Sequence, residues 1–251
     1  MQVLAPDLFL KDYLKGGKRS DGRVIDEKRK CYCTCGCFDK CFGSSMVIIG
    51  KTIVATKIEA VPQPIAPSIN IEVRNSVVSS PMIQKSVNPT LSSYVQSLAK
   101  NFIDLNEFEI VRPDPHNAFH SSVKLWGWRV IVKQNILSED GSIEIALIQG
   151  LQYAISNLVL PIYSLDDEAK LVLHDETRTV SSVPVKACQF ALIDGVLYID
   201  PSKDELQIAD GMCTIVTTAE ERPSILALSS NGAFIMNEET LIRMTQYCQS
   251  E

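Results

Sequence analysis

Alternating apolar and polar residues predict strands in the first third of the chain. Residues 45–49 and 52–60 alternate as half-buried strands do, and Gly50-Lys51 between them is a two-residue hairpin signal. Residues 62–67 contain three prolines and predict a loop, because proline cannot donate a ladder hydrogen bond inside a sheet. Residues 69–78 alternate again and predict a further strand.

Apolar residues spaced three and four apart predict three amphipathic helices. The first covers residues 6–15 and is closed by Gly16-Gly17, and the second covers residues 91–103 after the opening Asn88-Pro89-Thr90. The third covers residues 238–248 near the end of the chain.

The most regular stretch is residues 125–161. It predicts an aromatic-rich strand, a tight turn at Asp140-Gly141 and an apolar helix that we expect Pro161 to end. A turn that leads into a helix N-terminus is a natural site for an anion. If the chain performs chemistry, this turn is where we expect it.

A similar order of elements follows on a smaller scale. Residues 186–193 and 196–199 predict a hairpin around Asp194-Gly195, and residues 212–218 and 224–229 predict a second pair of strands before the last helix. Strands followed by a helix in each part predict an α+β fold with two similar halves. We place an N-terminal helix and arm at residues 1–18, a domain at residues 19–251, and its halves at roughly residues 19–161 and 162–251.

The composition is ordinary for a globular protein, with 45% hydrophobic and 22% charged residues in 251. No apolar run approaches the roughly 18–20 residues that span a bilayer, and charges near the N-terminus exclude a secretory signal. We therefore expect an intracellular protein with reduced cysteines. The net charge of −6 argues against a protein that coats nucleic acid.

Charge is nevertheless uneven. Residues 11–30 hold eight basic and four acidic side chains. This segment is either a solvated helix face and loop or a local patch that faces phosphate.

Five cysteines lie between residues 31 and 41, four of them at alternate positions. A straight strand places such residues roughly 6.5–7 Å apart, whereas the sulfurs around a zinc ion lie about 3.8 Å apart. A bend at Gly36 would gather Cys35, Cys37 and Cys41, which are the weak candidates for a metal site. The alternative is a strand whose buried face uses small apolar thiols. Three isolated cysteines predict core positions: Cys188, Cys213 and Cys248.

Other catalytic patterns are weak. His116, His120 and His174 are scattered and are expected in surface loops. No phosphate-binding glycine loop, dinucleotide fingerprint or nucleophile elbow occurs. The carboxylates that follow a predicted strand are either general acids or part of a solvated turn: Asp200, Asp204, Glu205 and Asp210.

The order of several short motifs resembles the RNase PH family over residues 19–248. The motifs are Arg-Ser-Asp-Gly-Arg at 19–23, the segment 43–52, Leu-Trp-Gly-Trp at 125–128 with Asp-Gly at 140–141, Phe-Ala-Leu-Ile-Asp-Gly at 190–195 and Ile-Asp-Pro at 199–201. Each motif is short, and their common order is what makes the resemblance specific.

This resemblance implies the RNase PH fold, with two βαβ-type halves related to the second domain of ribosomal protein S5. It is greatest to the non-catalytic branch of ring subunits in the eukaryotic exosome. That branch implies a six-membered ring of such subunits as partners, an S1/KH-type cap subunit, RNA in the central channel, no cofactor and no membrane. It also implies a role in rRNA processing and mRNA decay, in the nucleus with its nucleolus and in the cytoplasm.

Two departures from the family indicate a degenerate site. Phosphorolytic members carry Gly-Gly-Thr-Arg after the turn aspartate Asp140, where this chain has Gly141, Ser142, Ile143 and Glu144. A carboxylate in place of a guanidinium reverses the charge that would hold phosphate.

The acidic positions of the family correspond to Asp200 and Asp210, which we interpret as structural remnants. For RNA contact the sequence nominates Arg19, Arg23 and Arg74. Two alternatives remain open: an active phosphate-dependent 3′–5′ exoribonuclease, and a free-standing zinc or RNA module.

Overall fold

The computed structural model describes residues 6–76, 87–111, 126–165, 170–234 and 236–250. Within these ranges the helices are α1 Pro6–Lys15, α2 Pro89–Ala99, α3 Ile143–Ser156, α4 Lys203–Ile208 and α5 Glu238–Gln249. None of the helices in this part of the chain is long and apolar enough to cross a bilayer. His116, His120, Leu125 and residues 77–78 of a predicted strand lie outside the described residues.

In the described part of the chain, the first sheet has six strands and includes the hairpin that the alternating patterns predict. Its order is β1-β2-β3-β6-β4, with β5 paired to β6. Only β4 and β6 are parallel, and α2 lies on the connection between them, as in a βαβ unit. The strands are β1 Cys31–Cys35, β2 Gly43–Ile49, β3 Thr52–Gln63, β4 Ser68–Asn75, β5 Glu109–Val111 and β6 Trp126–Ser138.

The second sheet has the order β10-β9-β11-β12 and is antiparallel throughout its described pairs. A separate two-stranded ribbon, β7 with β8, lies between the two sheets in sequence. The strands are β7 Val159–Leu165, β8 Leu171–Thr179, β9 Val185–Ile193, β10 Val196–Ile199, β11 Gly211–Thr218 and β12 Ile225–Gly232. Mixed sheets and helices of this kind confirm the predicted α+β class.

Helix α3 is the centre of the main core. Eight of its fourteen residues are buried, and it packs on β2, β3 and β9. Gly150 allows this approach, because a Cβ there would lie only 2.7 Å from Oγ1 of Thr56 on β3. The helix thereby touches both sheets and fixes its own N-terminus between them.

The predicted hairpins are present. β2 and β3 pair Ile49 with Thr52 across Gly50-Lys51, and β9 and β10 turn at Asp194-Gly195 with both residues at positive φ. The buried positions of Cys188, Cys213 and Cys248 confirm the prediction for these three cysteines. The division into halves stays a prediction, and β7 continues across its boundary at residues 161–162.

Two predicted boundaries are wrong. Helix α3 ends at Ser156, because the Asn157 side chain bonds the backbone N–H and C=O of Ser44 and draws the chain into β7, which includes Pro161. Pro62 lies in β3 and not in a loop. This end of β3 extends past the residues that pair with β2, so among the described strands it pairs with β6 alone. A strand with one unpaired side tolerates proline.

Some elements depart from the patterns in other ways. Helix α2 ends at Ala99, four residues before the predicted end. The β7–β8 ribbon and α4 were not predicted. Strand β1 exists, but its cysteines do not form a buried face, because Cys31 and Cys35 are exposed and Cys33 is only half-buried.

Arg19 joins the N-terminal segment to the end of β10 and to α4. Its side chain is fully buried and donates to Glu205 from Nε at 2.8 Å and Nη2 at 2.5 Å. The remaining guanidinium protons bond the carbonyls of Ile199 and Asp200 at 2.8 and 2.9 Å and that of Glu27 at 3.2 Å. A buried guanidinium needs a hydrogen-bond acceptor for each of its N–H groups, because an unpaired buried charge is costly.

We predict that Arg19→Met lowers the free energy of unfolding by about 3–5 kcal/mol, because Glu205 would remain buried without its counter-charge. Urea denaturation measures the change. The matched control is Lys15→Met, which breaks an exposed ion pair with Asp194 and should cost at most about 1 kcal/mol. Equal losses for the two variants would contradict the structural role of Arg19.

Candidate functional site

The turn at Asp140-Gly141-Ser142 is held firmly before α3. Gly141 has φ +78°, and a Cβ there would collide with the carbonyl of Pro201. Thr52 fixes the turn from the other side: its hydroxyl donates to the carbonyl of Gly141 at 2.7 Å and accepts from the N–H of Asp140 at 2.9 Å. The predicted turn and helix N-terminus are therefore present, packed against the segment that leads into α4.

Asp200 lies directly beneath this turn and is saturated with donors. Its carboxylate accepts from the N–H, Nε and Nη2 of Arg29 at 2.8, 2.8 and 2.7 Å. Ser142 Oγ donates at 2.6 Å, and Arg23 Nη1 donates at 3.1 Å. Arg29 also lies 3.7 Å from the carboxylate of Asp140. One arginine thus links the turn that follows β6 to the turn that follows β10.

The ionisation of this pair follows from its contacts. Burial alone would raise the pKa of Asp200, but the hydrogen bonds and charge of Arg29, with the hydroxyl of Ser142, outweigh it and lower that pKa. Burial alone would also lower the pKa of Arg29, and Asp200 reverses the effect, so the pKa of Arg29 is raised. Asp200 is therefore held as a carboxylate and has no proton to give at neutral pH.

Asp210 is in a different environment. It is exposed, accepts from the N–H of Asp194 at 2.9 Å and lies 3.9 Å from Nζ of Lys11. The structure brings Asp200 together with residues 140–142, and it gives Asp210 partners in the β9–β10 turn and α1. The two predicted acidic remnants thus have separate sets of contacts.

Glu144 is in the first turn of α3, where a carboxylate interacts favourably with the helix dipole. Its Oε2 accepts from the hydroxyl of Thr214 on β11 at 2.7 Å, and Thr214 is also 3.5 Å from Nε2 of Gln189 on β9. Burial and the nearby Glu144 charge raise the pKa of the Tyr94 hydroxyl. The charged side chain in the first turn of α3 is thus a carboxylate.

The three arginines nominated for RNA contact have different positions. Arg19 has no exposed surface and every donor in use, so the prediction that it contacts RNA does not fit its burial. Arg23 is nearly buried and bonded to Asp21 and Asp200. Arg74 is half-exposed and paired with Glu72 at 2.8 Å. For Arg23 and Arg74 the role stays a prediction.

The segment 11–30 fits the solvated interpretation in part, because Lys15, Lys18 and Lys30 are exposed, but its arginines do not fit it. Its arginines turn inward to carboxylates of the same chain, namely Glu205 and Asp200, instead of facing solvent or phosphate. Sequence reasoning missed Arg29, because nothing in the linear pattern connects it to residues more than a hundred positions away. Sequence reasoning also missed the capping box that Ser202 and Glu205 form at the start of α4, although their spacing of three residues is typical of one.

The cysteines of β1 face α3 and are not gathered around a point. Cys31 donates to Oε1 of Gln149 at 2.9 Å, Cys33 and Cys35 have sulfurs 4.0 Å apart, and Cys41 bonds the carbonyl of Phe38. Across the described ranges, no three His, Cys, Asp or Glu side chains form a group that could hold a metal. Partial burial raises the pKa of Cys31 to about 11 and, together with Cys35, that of Cys33 to about 12, so both are thiols at neutral pH.

We predict that Asp200→Asn lowers the free energy of unfolding by about 3–5 kcal/mol at pH 7, because Arg29 loses its buried counter-charge. Asp200 has a folded pKa below its ordinary value of 3.8, so its contribution is complete above that value and disappears as the pH falls through the folded pKa. The difference between wild type and variant should therefore shrink in urea denaturation series taken from pH 7 to pH 3.

The control is Asp204→Asn, an exposed aspartate in α4 that should cost less than about 1 kcal/mol. A loss for Asp200→Asn that stays constant from pH 7 to pH 3 would contradict the charge interaction.

Comparisons with known proteins agree with the geometry. Residues 184–247 match the model of the 3′ exoribonuclease family, domain 2. The chain is 26% identical to the exosome complex component Rrp42 of Pyrococcus furiosus, with 97% of this chain and 89% of that protein covered. It is 27% identical to Rrp42 of Thermoplasma acidophilum, with 92% and 86% covered.

Solved structures show the same fold. The Archaeoglobus fulgidus exosome with RNA bound to the active site contains a chain that superposes with a TM-score of 0.73 at 20% identity, covering 96% of this chain and 92% of that one. An archaeal exosome core gives 0.71 at 20% identity, with 98% and 96% covered. Rice Rrp46 gives 0.62 at 17% identity, with 91% and 92% covered. The chain therefore has the RNase PH fold, resembles the second domain of the 3′ exoribonuclease family over residues 184–247 and is similar over nearly its whole length to the archaeal exosome component Rrp42.

Proposed function

We propose that this chain is a non-catalytic subunit of an exosome ring, which supports 3′–5′ RNA processing and degradation by forming subunit interfaces and part of the RNA channel. The observation that carries the proposal is the charge of the site. Glu144 lies at the N-terminus of α3, and Asp200 is locked as an ionised carboxylate.

Phosphate binding is disfavoured at this helix N-terminus. The backbone N–H groups are suited to an anion, but Glu144 carries the same charge as phosphate. At 4 Å, and an effective dielectric constant of about 20, two such unit charges repel by about 4 kcal/mol. Ile143 adds no donor in place of the family's threonine. The turn therefore keeps its shape without the side chains that would hold the attacking group.

Proton donation is disfavoured as well. A general acid must hold a proton near neutral pH and reach the leaving group. Asp200 fails the first condition, because Arg29, Arg23 and Ser142 occupy its oxygens and keep it ionised. These contacts support a structural role for Asp200 as the link between the two turns.

Assembly in a ring is supported by the relatives and by the surface. The alignments extend over nearly the whole chain, so the likeness is not confined to one motif. The ribbon strand β8 exposes most of its residues, with Leu173 59% exposed. Edge strand β12 exposes Ile225 and Leu228. Exposed strands with apolar side chains are surfaces that neighbouring subunits can cover.

The finer features rest on the sequence resemblance. Within the ring we propose the position of the subunit numbered forty-three, with other RNase PH-like subunits on both sides and an S1/KH-type subunit as the cap. RNA would pass through the channel without a cofactor, and Arg23 and Arg74 remain the candidates for contacting it. The proposed locations are the nucleus with its nucleolus and the cytoplasm, for rRNA processing and mRNA decay.

We predict that the purified chain releases no nucleoside diphosphate from 3′-labelled RNA in the presence of phosphate. The reason is that the site does not hold phosphate and that Asp200 has no proton to donate. Thin-layer chromatography of the products provides the measurement, with an active family member as the positive control. Asp210→Ala should leave this result unchanged. Diphosphate release that Asp210→Ala abolishes would establish the alternative function, an active phosphorolytic exoribonuclease.

We also predict that the isolated chain self-associates and that co-expression with ring partners suppresses this, because partners cover the exposed strands. Leu173→Glu on β8 should reduce co-purification of the partners at least tenfold, by placing a charge in an apolar contact. The matched control is Val24→Glu, an exposed apolar residue in a loop.

Sedimentation velocity and quantitative affinity purification measure these effects. A chain that stays monomeric over a wide concentration range, with equal recovery of partners for both variants, would contradict the ring proposal.

A further inference from the structure

A cleft of about 310 Å³ lies beside the N-terminus of α3. Its walls include three apolar side chains, those of Leu91, Ile143 and Leu206, and its polar lining includes Glu144 and Gln189. A cleft lined by both apolar side chains and polar groups suits a ligand that has an alkyl stem and a polar head.

The orientation of the Gln189 amide follows from the hydrogen bonds of Thr214. A hydroxyl has one proton, and Thr214 donates it to Oε2 of Glu144 at 2.7 Å. Toward Gln189, at 3.5 Å, the same hydroxyl can only accept, so Gln189 must present Nε2 to it. The other polar atom of the amide, the acceptor Oε1 of Gln189, therefore receives no hydrogen bond from Thr214.

This leftover acceptor has no protein partner. Gln189 is 4% exposed, and its Oε1 is a buried oxygen without a hydrogen bond among the described residues. A buried acceptor in this state costs about 1–3 kcal/mol unless a ligand or water supplies a donor. The residue Gln189 lines the same cleft as Glu144.

The charges in the cleft leave Glu144 without a cation. Lys203 lies 3.9 Å from Glu139, so these two lining residues offset each other. Among the described residues, Glu144 accepts from the Thr214 hydroxyl, lies near the buried Tyr94 hydroxyl and forms no ion pair with lysine or arginine. The carboxylate of Glu144 and the amide oxygen of Gln189 thus both accept hydrogen bonds, and neither has a cation beside it among the described residues.

We propose that this cleft binds the ammonium group of a lysine-like alkylamine. The head group has three donors and one positive charge, which match Oε1 of Gln189 and the carboxylate of Glu144. The methylene stem lies against Leu91, Ile143 and Leu206. The inference rests on the proposed loss of the phosphate site and adds a ligand class of opposite charge at the same helix N-terminus.

Two sources supply such a group: a lysine side chain of a neighbouring protein, or a free polyamine. The first probe is the peptide acetyl-Gly-Lys-Gly-amide, and its control is the norleucine peptide, which keeps the stem and lacks the charge. The second probe is spermidine. Isothermal titration calorimetry of the full chain, held in one assembly state throughout, measures the dissociation constant of each.

We expect the lysine peptide or spermidine to bind and the norleucine peptide to bind at least tenfold more weakly. The tighter of the two amines identifies the source. Glu144→Gln keeps the shape of the side chain and should weaken amine binding at least tenfold, and Gln189→Leu should weaken it by removing the free acceptor. If either variant fails to fold, the comparison of the lysine and norleucine peptides on the wild-type chain still tests the proposal.

Three results would overturn the inference. Equal binding of the lysine and norleucine peptides would mean that the charge is not recognised. No amine binding would mean that water alone satisfies Gln189, and it would leave the non-catalytic proposal standing. Inorganic phosphate, titrated separately, distinguishes the remaining case: phosphate binding that exceeds amine binding would overturn both this inference and the proposed function.

Discussion

The fold depends on a small set of buried charges that connect the N-terminal segment, the turn before α3 and the segment around α4. Arg19 is enclosed with Glu205, and Arg29 is enclosed with Asp200, so a short N-terminal segment ties the α3 turn to the start of α4. Such pairs add little stability when compared with apolar packing, but breaking one of them is expensive. They therefore fix a geometry: the turn, the helix N-terminus and the second sheet cannot shift independently.

For the proposed non-catalytic function, this arrangement explains how the framework of the site persists without catalysis. The acid beneath the turn is needed for the connection between the halves, and that role requires it to stay ionised. A proton donor at the same position would weaken the bond to Arg29. Structural use and acid catalysis thus demand opposite protonation states of Asp200. At Glu144 the sign of the charge changes as well, which turns a site suited to anions into one rich in acceptors.

The surface completes this picture of a scaffold. In the proposed scaffold role, a chain that neither holds phosphate nor donates a proton still supplies shape, and exposed strands such as β8 and β12 are edges that neighbours can cover. Likeness of fold alone would leave activity open, since one fold serves many functions. The contacts of individual side chains within the cleft separate the inert interpretation from the active one.

The sequence by itself determined the local elements and the loss of the phosphate side chains. Hairpins, helix periodicity and the substitution of Ile143 and Glu144 depend on residues close together in the chain, where spacing carries the information. Tertiary structure alone decided where Arg29 points, why α3 stops at Asn157 and which oxygen of Gln189 is free. Each of these depends on partners far away in sequence, and the physical reason is that burial, hydrogen bonding and charge act through space, not along the chain.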